Sequence, residues 1–161
     1  MKKKYIILGY GSPDRGDDGV AFYIINRLLS VNGLLSMDLF SQEIIPLNST
    51  TDLWFNLQLL PEVANILGNY ETALFIDAHT SEINEEIQFI EIDAIYQTSP
   101  FTHHISPQTC LAITKEIFGK APKSYLVSIL GTEFQFTTHL SQKTNSLADM
   151  AINQILEMIE N

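Results

Sequence analysis

Apolar and polar positions follow two patterns along this chain, one typical of buried strands and one typical of amphipathic helices. Short apolar runs rich in β-branched residues predict buried strands at Tyr5–Leu8, Thr72–Ala78 and Ser124–Leu130. Apolar residues spaced three and four apart predict helices at Val20–Leu29 and Ser141–Ile159. Strands and helices therefore alternate along the chain, which is typical of α/β proteins.

Five further stretches complete this prediction. Met37–Ile45 is predicted to be a second strand, and the alternation in Ile87–Ile92 predicts an edge strand. Leu53–Leu60 is apolar and fits either a strand or a turn of helix. Ser106 as N-cap and Pro107 at the first position predict a helix that ends at Gly119. Pro61 likewise begins a predicted helix that ends at Gly68.

The order of these elements predicts an α/β fold with a largely parallel sheet covered by helices on both faces. With 161 residues, the chain is predicted to form one domain over positions 1–161. Its apolar runs are too short to span a membrane. The apolar run after Met1 continues into a glycine-rich turn rather than a cleavage site, so we expect a core strand and a cytoplasmic protein.

Charge and cysteine content restrict the partners. The net charge of −10 argues against nucleic acid, and leaves room for a basic protein partner or a metal ion. Cys110 is the single cysteine, which excludes an internal disulfide and a cysteine-rich metal site. A thiol nucleophile beside His103 and His104 is one reading of Cys110, and a buried core thiol is the reading we favour.

The stretch Leu8–Val20 joins the first strand to the first helix and contains four glycines and three aspartates. A glycine-rich turn before a helix commonly holds phosphate, but this turn is acidic. One of Asp17 and Asp18 can serve as the helix N-cap, and the second then suggests a cation site. The turn also departs from the dinucleotide fingerprint, because Asp14 occupies the position of its third glycine.

Ligands of parallel α/β sheets bind at the carboxyl ends of the strands. Asp18, Asp77 and one loop histidine would meet there, and such a set suits nickel, zinc, iron or manganese without distinguishing them. Each residue also has a structural reading: Asp18 as an N-cap, Asp77 as an acceptor for turn amides, and His103 and His104 as solvated loop residues. For His79 and His139 we favour the structural reading.

The segment Gly9–Val20 closely resembles G-x-G-N-P-L-R-G-D-D-G-V, the opening motif of the [NiFe]-hydrogenase maturation endopeptidases. The segments Gln58–Glu62, Phe75–His79 and Thr102–Pro107 resemble the family's Q-L-x-P-E, F-V-D-A-H and S-H-H-L-x-P motifs. Gly131–Phe134 and Leu140–Ser141 also fit, so the resemblance covers nearly the whole chain. Ser12 replaces the family's usual asparagine and Asp14 its usual leucine.

This resemblance implies a fold, an activity and a set of site residues. The family fold is a three-layer arrangement with a twisted, mainly parallel five-stranded sheet. Its members remove a C-terminal extension from the hydrogenase large-subunit precursor after nickel insertion. The metal-contacting positions fall on Asp18, Asp77 and His103, with His104 as the near alternative. The two aspartates are also the candidate catalytic residues. A carboxylate acting as general base would make this an aspartic-type peptidase, and a metal that polarises the carbonyl or activates the water stays open as the alternative.

The resemblance further implies that nickel is supplied by the precursor rather than stably held by the protease. The expected partner is that precursor, and we expect the protease itself to be a monomer. Three other functions stay open: a nickel-sensing module that cuts nothing, a related α/β peptidase acting on another protein, and a nucleotide-binding α/β domain. The acidic turn disfavours the last of these.

Overall fold

The computed structural model describes residues 3–39, 41–97 and 104–161. Within them the chain forms one mixed sheet with helices on both faces. The strands are β1 (Lys3–Tyr10), β2 (Ile45–Pro46), β3 (Thr51–Asn56), β4 (Tyr70–His79), β5 (Ile87–Ile92) and β6 (Lys123–Leu130). The helices are α1 (Val20–Val31), α2 (Val63–Leu67), α3 (Pro107–Phe118) and α4 (Gln142–Glu160), and a single 3₁₀ turn (Gly16–Gly19) precedes α1.

The strand order across the sheet is β2-β3-β1-β4-β6-β5. The four inner strands are parallel, and both edge strands pair antiparallel to their neighbours. The predicted α/β class with a mainly parallel sheet is therefore confirmed. The described residues contain six strands rather than five, because the two-residue β2 adds an outer edge.

Each face of the sheet carries its own apolar core. On β1, Ile7 contributes to the core formed with α1 and α4, whereas Ile6 and Leu8 contribute to the core formed with α2 and α3. Side chains alternate between the two faces of a strand, so a strand covered on both faces reads as a continuous apolar run. The predicted helices on both faces, and hence the three layers, are confirmed.

The predicted strand over Met37–Ile45 is wrong. Positions 34–39 and 41–44 contain no strand, and pairing with β3 begins only at Ile45 and ends at Pro46. Beyond Pro46 the chain turns towards β3, where Leu47 N donates to the backbone oxygen of Thr51 at 2.9 Å. Met37 is nevertheless buried, and its backbone N–H donates to Asn26 Oδ1 on α1 at 2.7 Å. The apolar character of this stretch thus comes from its packing beside α1.

The ambiguous stretch Leu53–Leu60 begins as a strand: its first four residues belong to β3, in which all six residues are buried. The predicted ends of α3 are confirmed: Ser106 Oγ accepts from Thr109 N at 3.1 Å, and Gly119 ends the helix with a φ of +79°. Among the residues that the structure describes, every helix is too short or too polar to span a lipid bilayer.

Candidate active site

The loop after β1 folds tightly back on itself. Gly11 has a φ of +133°, and a Cβ there would lie 2.3 Å from the backbone oxygen of Asp18. A Cβ on Gly19 would lie 2.8 Å from Pro13 Cα. Both glycines are therefore required by the close approach of backbone to backbone. The loop is rich in glycine because it packs against itself, and this packing brings Asp18 back beside the end of β1.

Asp18 is partly buried, and its Oδ2 accepts from the backbone N–H of Ser12 at 2.8 Å. Its Oδ1 makes no hydrogen bond with any described residue. The residue preceding α1 is Gly19, and no side chain caps that helix. The reading of Asp17 or Asp18 as the N-cap of α1 is therefore wrong, because both acids lie within the 3₁₀ turn and α1 begins only after it.

Asp17, the neighbouring acid, is fully buried and points into the protein. Its oxygens accept from the backbone N–H groups of Thr132, Glu133 and Ser141 at 2.8, 2.9 and 2.8 Å, and from Ser141 Oγ at 2.8 Å. Burial alone would raise the pKa of Asp17, but these hydrogen bonds hold it below its usual value. Asp17 therefore anchors the loop to the segment before α4 and offers nothing to a ligand.

Asp77 lies near the end of β4, partly buried, and its Oδ1 accepts from its own neighbour Ala78 N at 2.7 Å. Burial, with a contribution from the negative charge of Asp18, raises the pKa of Asp77 to about 7. This rise occurs although the Ala78 N–H and the Tyr10 hydroxyl stabilise the ionised form. At neutral pH Asp77 is therefore present in both protonation states and can give or take a proton.

Tyr10 is a further candidate site residue, which the sequence did not single out. It is the last residue of β1, and the preceding pair Gly9–Ile76 sets it beside Asp77 on the neighbouring strand. Burial, then the charge of Asp77 and a hydrogen bond to it, raise the pKa of the Tyr10 phenol well above its usual value. Its phenol therefore stays protonated and serves as a donor to Asp77. Pairing β1 with β4 in parallel register is the step that would have revealed this contact from the sequence.

The histidines differ in their surroundings. His103 lies outside the described residues, and His104 is exposed just before α3. His79 is buried, with Nδ1 2.6 Å from Ser128 Oγ and Nε2 2.7 Å from the backbone oxygen of Glu85. Both ring nitrogens of His79 are thus engaged, which agrees with its structural reading. His139 is exposed.

Cys110 is fully buried in the core between the sheet, α2 and α3. Burial raises the pKa of its thiol to about 12. A thiol that is both enclosed and protonated is a poor nucleophile, so the structure favours the core reading.

The carboxyl edge of the sheet thus places two acidic side chains, Asp18 and Asp77, within electrostatic reach of each other. Within residues 3–39, 41–97 and 104–161, no set of three or more histidine, cysteine or acidic side chains is grouped as a metal site would require. The two carboxylates can supply oxygen ligands to a metal and can transfer a proton. A nitrogen ligand would have to come from the loop before α3 or from a partner.

Neither a protein-family model nor a curated protein matches this chain. Solved structures do match. The [NiFe] hydrogenase maturation protease HycI from Thermococcus kodakarensis KOD1 aligns with a TM-score of 0.69 and 19% identity, over 99% of this chain and 94% of that chain. The hydrogenase maturating endopeptidase HybD from E. coli aligns with a TM-score of 0.70 and 18% identity, over 98% of this chain and 92% of that chain.

A third solved structure, the hydrogenase 2 maturation peptidase from Thaumarchaeota archaeon SCGC_AB-539-E09, aligns with a TM-score of 0.61 and 16% identity. That alignment covers 98% of each chain. The similarity extends over the full length of the molecules at low identity, so it concerns the path of the backbone. The chain has the fold of the hydrogenase maturation proteases.

Proposed function

We propose that this protein is an endopeptidase that removes the C-terminal extension of a [NiFe]-hydrogenase large-subunit precursor once nickel has been inserted. The observation that carries the proposal is the pairing of Asp18 and Asp77 at the carboxyl edge of this fold. These are the two positions at which the sequence resembles the acidic site residues of that family. The fold, the motifs and the side-chain geometry therefore support the same function.

Nickel is part of the substrate in this proposal. The precursor holds the metal, and the protease contacts it with oxygen ligands from the edge of the sheet. Asp18 is the better placed of the two acids for this contact, because its Oδ1 is not used by any described residue. His103, or His104 beside it, would add an imidazole. A metal bound in this way signals that insertion is complete and fixes the scissile bond beside the acids.

Asp77 is the better placed acid for proton transfer, since its pKa of about 7 matches the requirements of a general base near neutral pH. Asp77 takes a proton from water as the water oxygen bonds to the scissile carbonyl carbon. The proton then passes to the peptide nitrogen as the C–N bond breaks. The products are a large subunit with a new carboxyl terminus and a released peptide. Nickel held nearby would polarise the carbonyl.

The test is incubation of the purified protein with nickel-loaded and nickel-free precursor, followed by intact mass spectrometry. We expect loss of a C-terminal peptide from the loaded form alone. Asp18→Asn and Asp77→Asn should each slow cleavage by about 100-fold or more. The matched control is Asp14→Asn, an exposed acid in the same loop, which should stay within about twofold. Wild-type rates in both site variants would contradict the assignment.

The same incubation, read by intact mass and by co-purification of the precursor, separates the other candidate functions. A nickel-sensing module would bind the loaded precursor and leave its mass unchanged. A peptidase for another protein would neither bind nor cut it. Comparing His103→Ala with His104→Ala identifies the imidazole, because the variant lacking the ligand should lose its preference for the loaded precursor.

A further inference from the structure

A groove with a volume of about 580 Å³ lies beside the loop that connects β1 to α1, on the side of the loop that faces α1. It is bounded by three segments of the chain: the loop with α1, the stretch after α1, and the stretch that leads into α4. Its lining consists of Pro13, Gly16, Gly19, Phe22, Tyr23, Asn26, Arg27, Ser30, Ser36, Thr138, His139, Leu140 and Asn145. No acidic side chain is among these lining residues, although acids outnumber lysine and arginine in the chain by 19 to 9.

Arg27 is the one arginine or lysine of this lining. It is exposed on α1, and it forms no hydrogen bond or ion pair with any described residue. The nearby acid Asp149 accepts instead from the Tyr23 hydroxyl at 3.0 Å. A guanidinium with open donors in an acid-free groove is suited to a carboxylate, which it can bind through two parallel hydrogen bonds.

Two large apolar side chains that lie close in sequence to lining residues are exposed to solvent. Leu35 precedes the lining residue Ser36 and is 91% exposed, and Phe136 lies two residues before Thr138 and is 89% exposed. Phe22 and Leu140 supply partly buried apolar surface within the groove. Large apolar side chains left in water around a groove favour an occupant that reaches past the groove, as a polypeptide does and a small molecule does not.

The groove and the paired acids share one loop. Pro13, Gly16 and Gly19 line the groove, and Asp18 directly precedes Gly19 with its carboxylate turned to Ser12. Asp17 ties this loop to the segment that forms the opposite wall of the groove. A chain lying in the groove would therefore contact the loop that holds Asp18.

We infer that this groove binds a segment of the precursor polypeptide, with a carboxylate of that segment on Arg27 and apolar side chains against Phe22 and Leu140. This inference rests on the proposed function and adds to it the surface that selects the substrate. Arg27 lies on α1, outside the loop that holds Asp18 and outside β4, which holds Asp77, so its substitution should weaken substrate binding and leave the chemical step intact.

The experiment measures cleavage of nickel-loaded precursor from the same organism by wild type, Arg27→Glu and Lys120→Glu. Lys120 is exposed in the connection between α3 and β6, so its reversal is the matched control for the change in net charge. We expect Arg27→Glu to raise KM about tenfold or more with kcat within about twofold, and Lys120→Glu to resemble wild type. Far-UV circular dichroism verifies that both variants are folded.

A charge exchange makes the test specific. Acidic residues of the precursor's C-terminal region are changed one at a time to lysine, and one of these changes should restore the KM of Arg27→Glu while impairing wild type. In parallel, Phe136→Ser should raise KM, whereas Ile117→Ser, which removes an exposed apolar residue of α3, should not.

The outcomes separate this inference from the proposed function. If wild type cleaves and Arg27→Glu behaves as Lys120→Glu does, the groove is not the docking surface and the peptidase assignment stands. If wild type cleaves nothing, the peptidase assignment fails. Calorimetric titration of the precursor into wild type and both variants then tests whether the groove binds it. Affinity lost in Arg27→Glu but kept in Lys120→Glu supports docking. Equal affinity, or no binding by any of them, overturns it.

Discussion

At the scale of single residues, the raised pKa of Asp77 makes stability depend on pH. Its pKa is about 7 in the folded protein against an ordinary value of 3.8, so the folded state keeps a proton that the unfolded state releases. The free energy of unfolding therefore falls as pH rises from about 4 to about 7. Asp77→Asn removes this loss and should stabilise the metal-free protein by about 2–4 kcal/mol at pH 8.

Urea denaturation of chelator-treated protein between pH 4 and pH 8 measures this effect. The advantage of Asp77→Asn should shrink as the pH falls toward 4, where the wild-type carboxyl is protonated in both states. Asp14→Asn, an exposed neighbour in the motif, should show no comparable trend. An Asp77→Asn protein less stable than wild type at pH 8 would contradict the argument.

Asp17 has the opposite effect. Its pKa is lowered by the hydrogen bonds that it accepts, so its contribution to stability is present above pH 3.8 and is lost as pH falls through the lower folded value. Asp17→Asn should lower the free energy of unfolding at pH 7 by about 3–5 kcal/mol, because an amide cannot accept all four hydrogen bonds. Thermal denaturation at pH 7 measures it, and a loss below 1 kcal/mol would argue against the anchor.

Asp17 and Asp18 show where prediction from sequence ends at this scale. The two adjacent acids were identified as one pair, and only their partners distinguish them. Asp17 bonds to Thr132, which is 115 positions away, whereas Asp18 bonds to Ser12 within the same loop. Asp77 could be singled out as a candidate because its position at the end of an apolar run is a local feature. The contact of Tyr10 with it depends on the pairing of two strands.

At the scale of elements, the ends of α3 are set by local chemistry. Ser106→Ala removes the hydroxyl that accepts from Thr109 N and should destabilise the protein by about 1 kcal/mol. Ser81, exposed in the turn after β4, provides the control substitution Ser81→Ala, which should change stability by less than about 0.5 kcal/mol. Urea midpoints of the three proteins measure the difference, and equal midpoints would show that the cap contributes nothing.

The helix α3 and the stretch Met37–Ile45 differ in how far local sequence determines their structure. The start of α3 at Ser106 and its end at Gly119 depend on residues within the helix and its caps, so the sequence was sufficient. Met37–Ile45 has the apolar content of a strand, yet Met37 is buried and its backbone N–H donates to Asn26 on α1. Leu35, just before this stretch, is exposed. Whether such a stretch pairs with a sheet depends on the neighbouring edge, which a local pattern does not contain.

At the scale of the whole molecule, the parallel sheet explains the position of the candidate site. The carboxyl ends of β1 and β4 are adjacent, so the loop after one and the last residues of the other must meet. This relation was predictable from the order of elements. The groove was not, because its walls come from residues 13–36 and 138–145, and their approach depends on the packing of α1 against α4.

The two cores share one sheet, so they should unfold together, and a single substitution can test this. Leu28 is fully buried on α1, and the chain's one tryptophan, Trp54, lies in the core on the opposite face. Leu28→Ala should cost about 2–5 kcal/mol and shift the Trp54 fluorescence transition as far as the far-UV circular dichroism transition. Val31→Ala, an exposed change on the same helix, should shift neither. If the Trp54 transition kept its wild-type midpoint, the faces would be independent, and the expectation of one domain would fail.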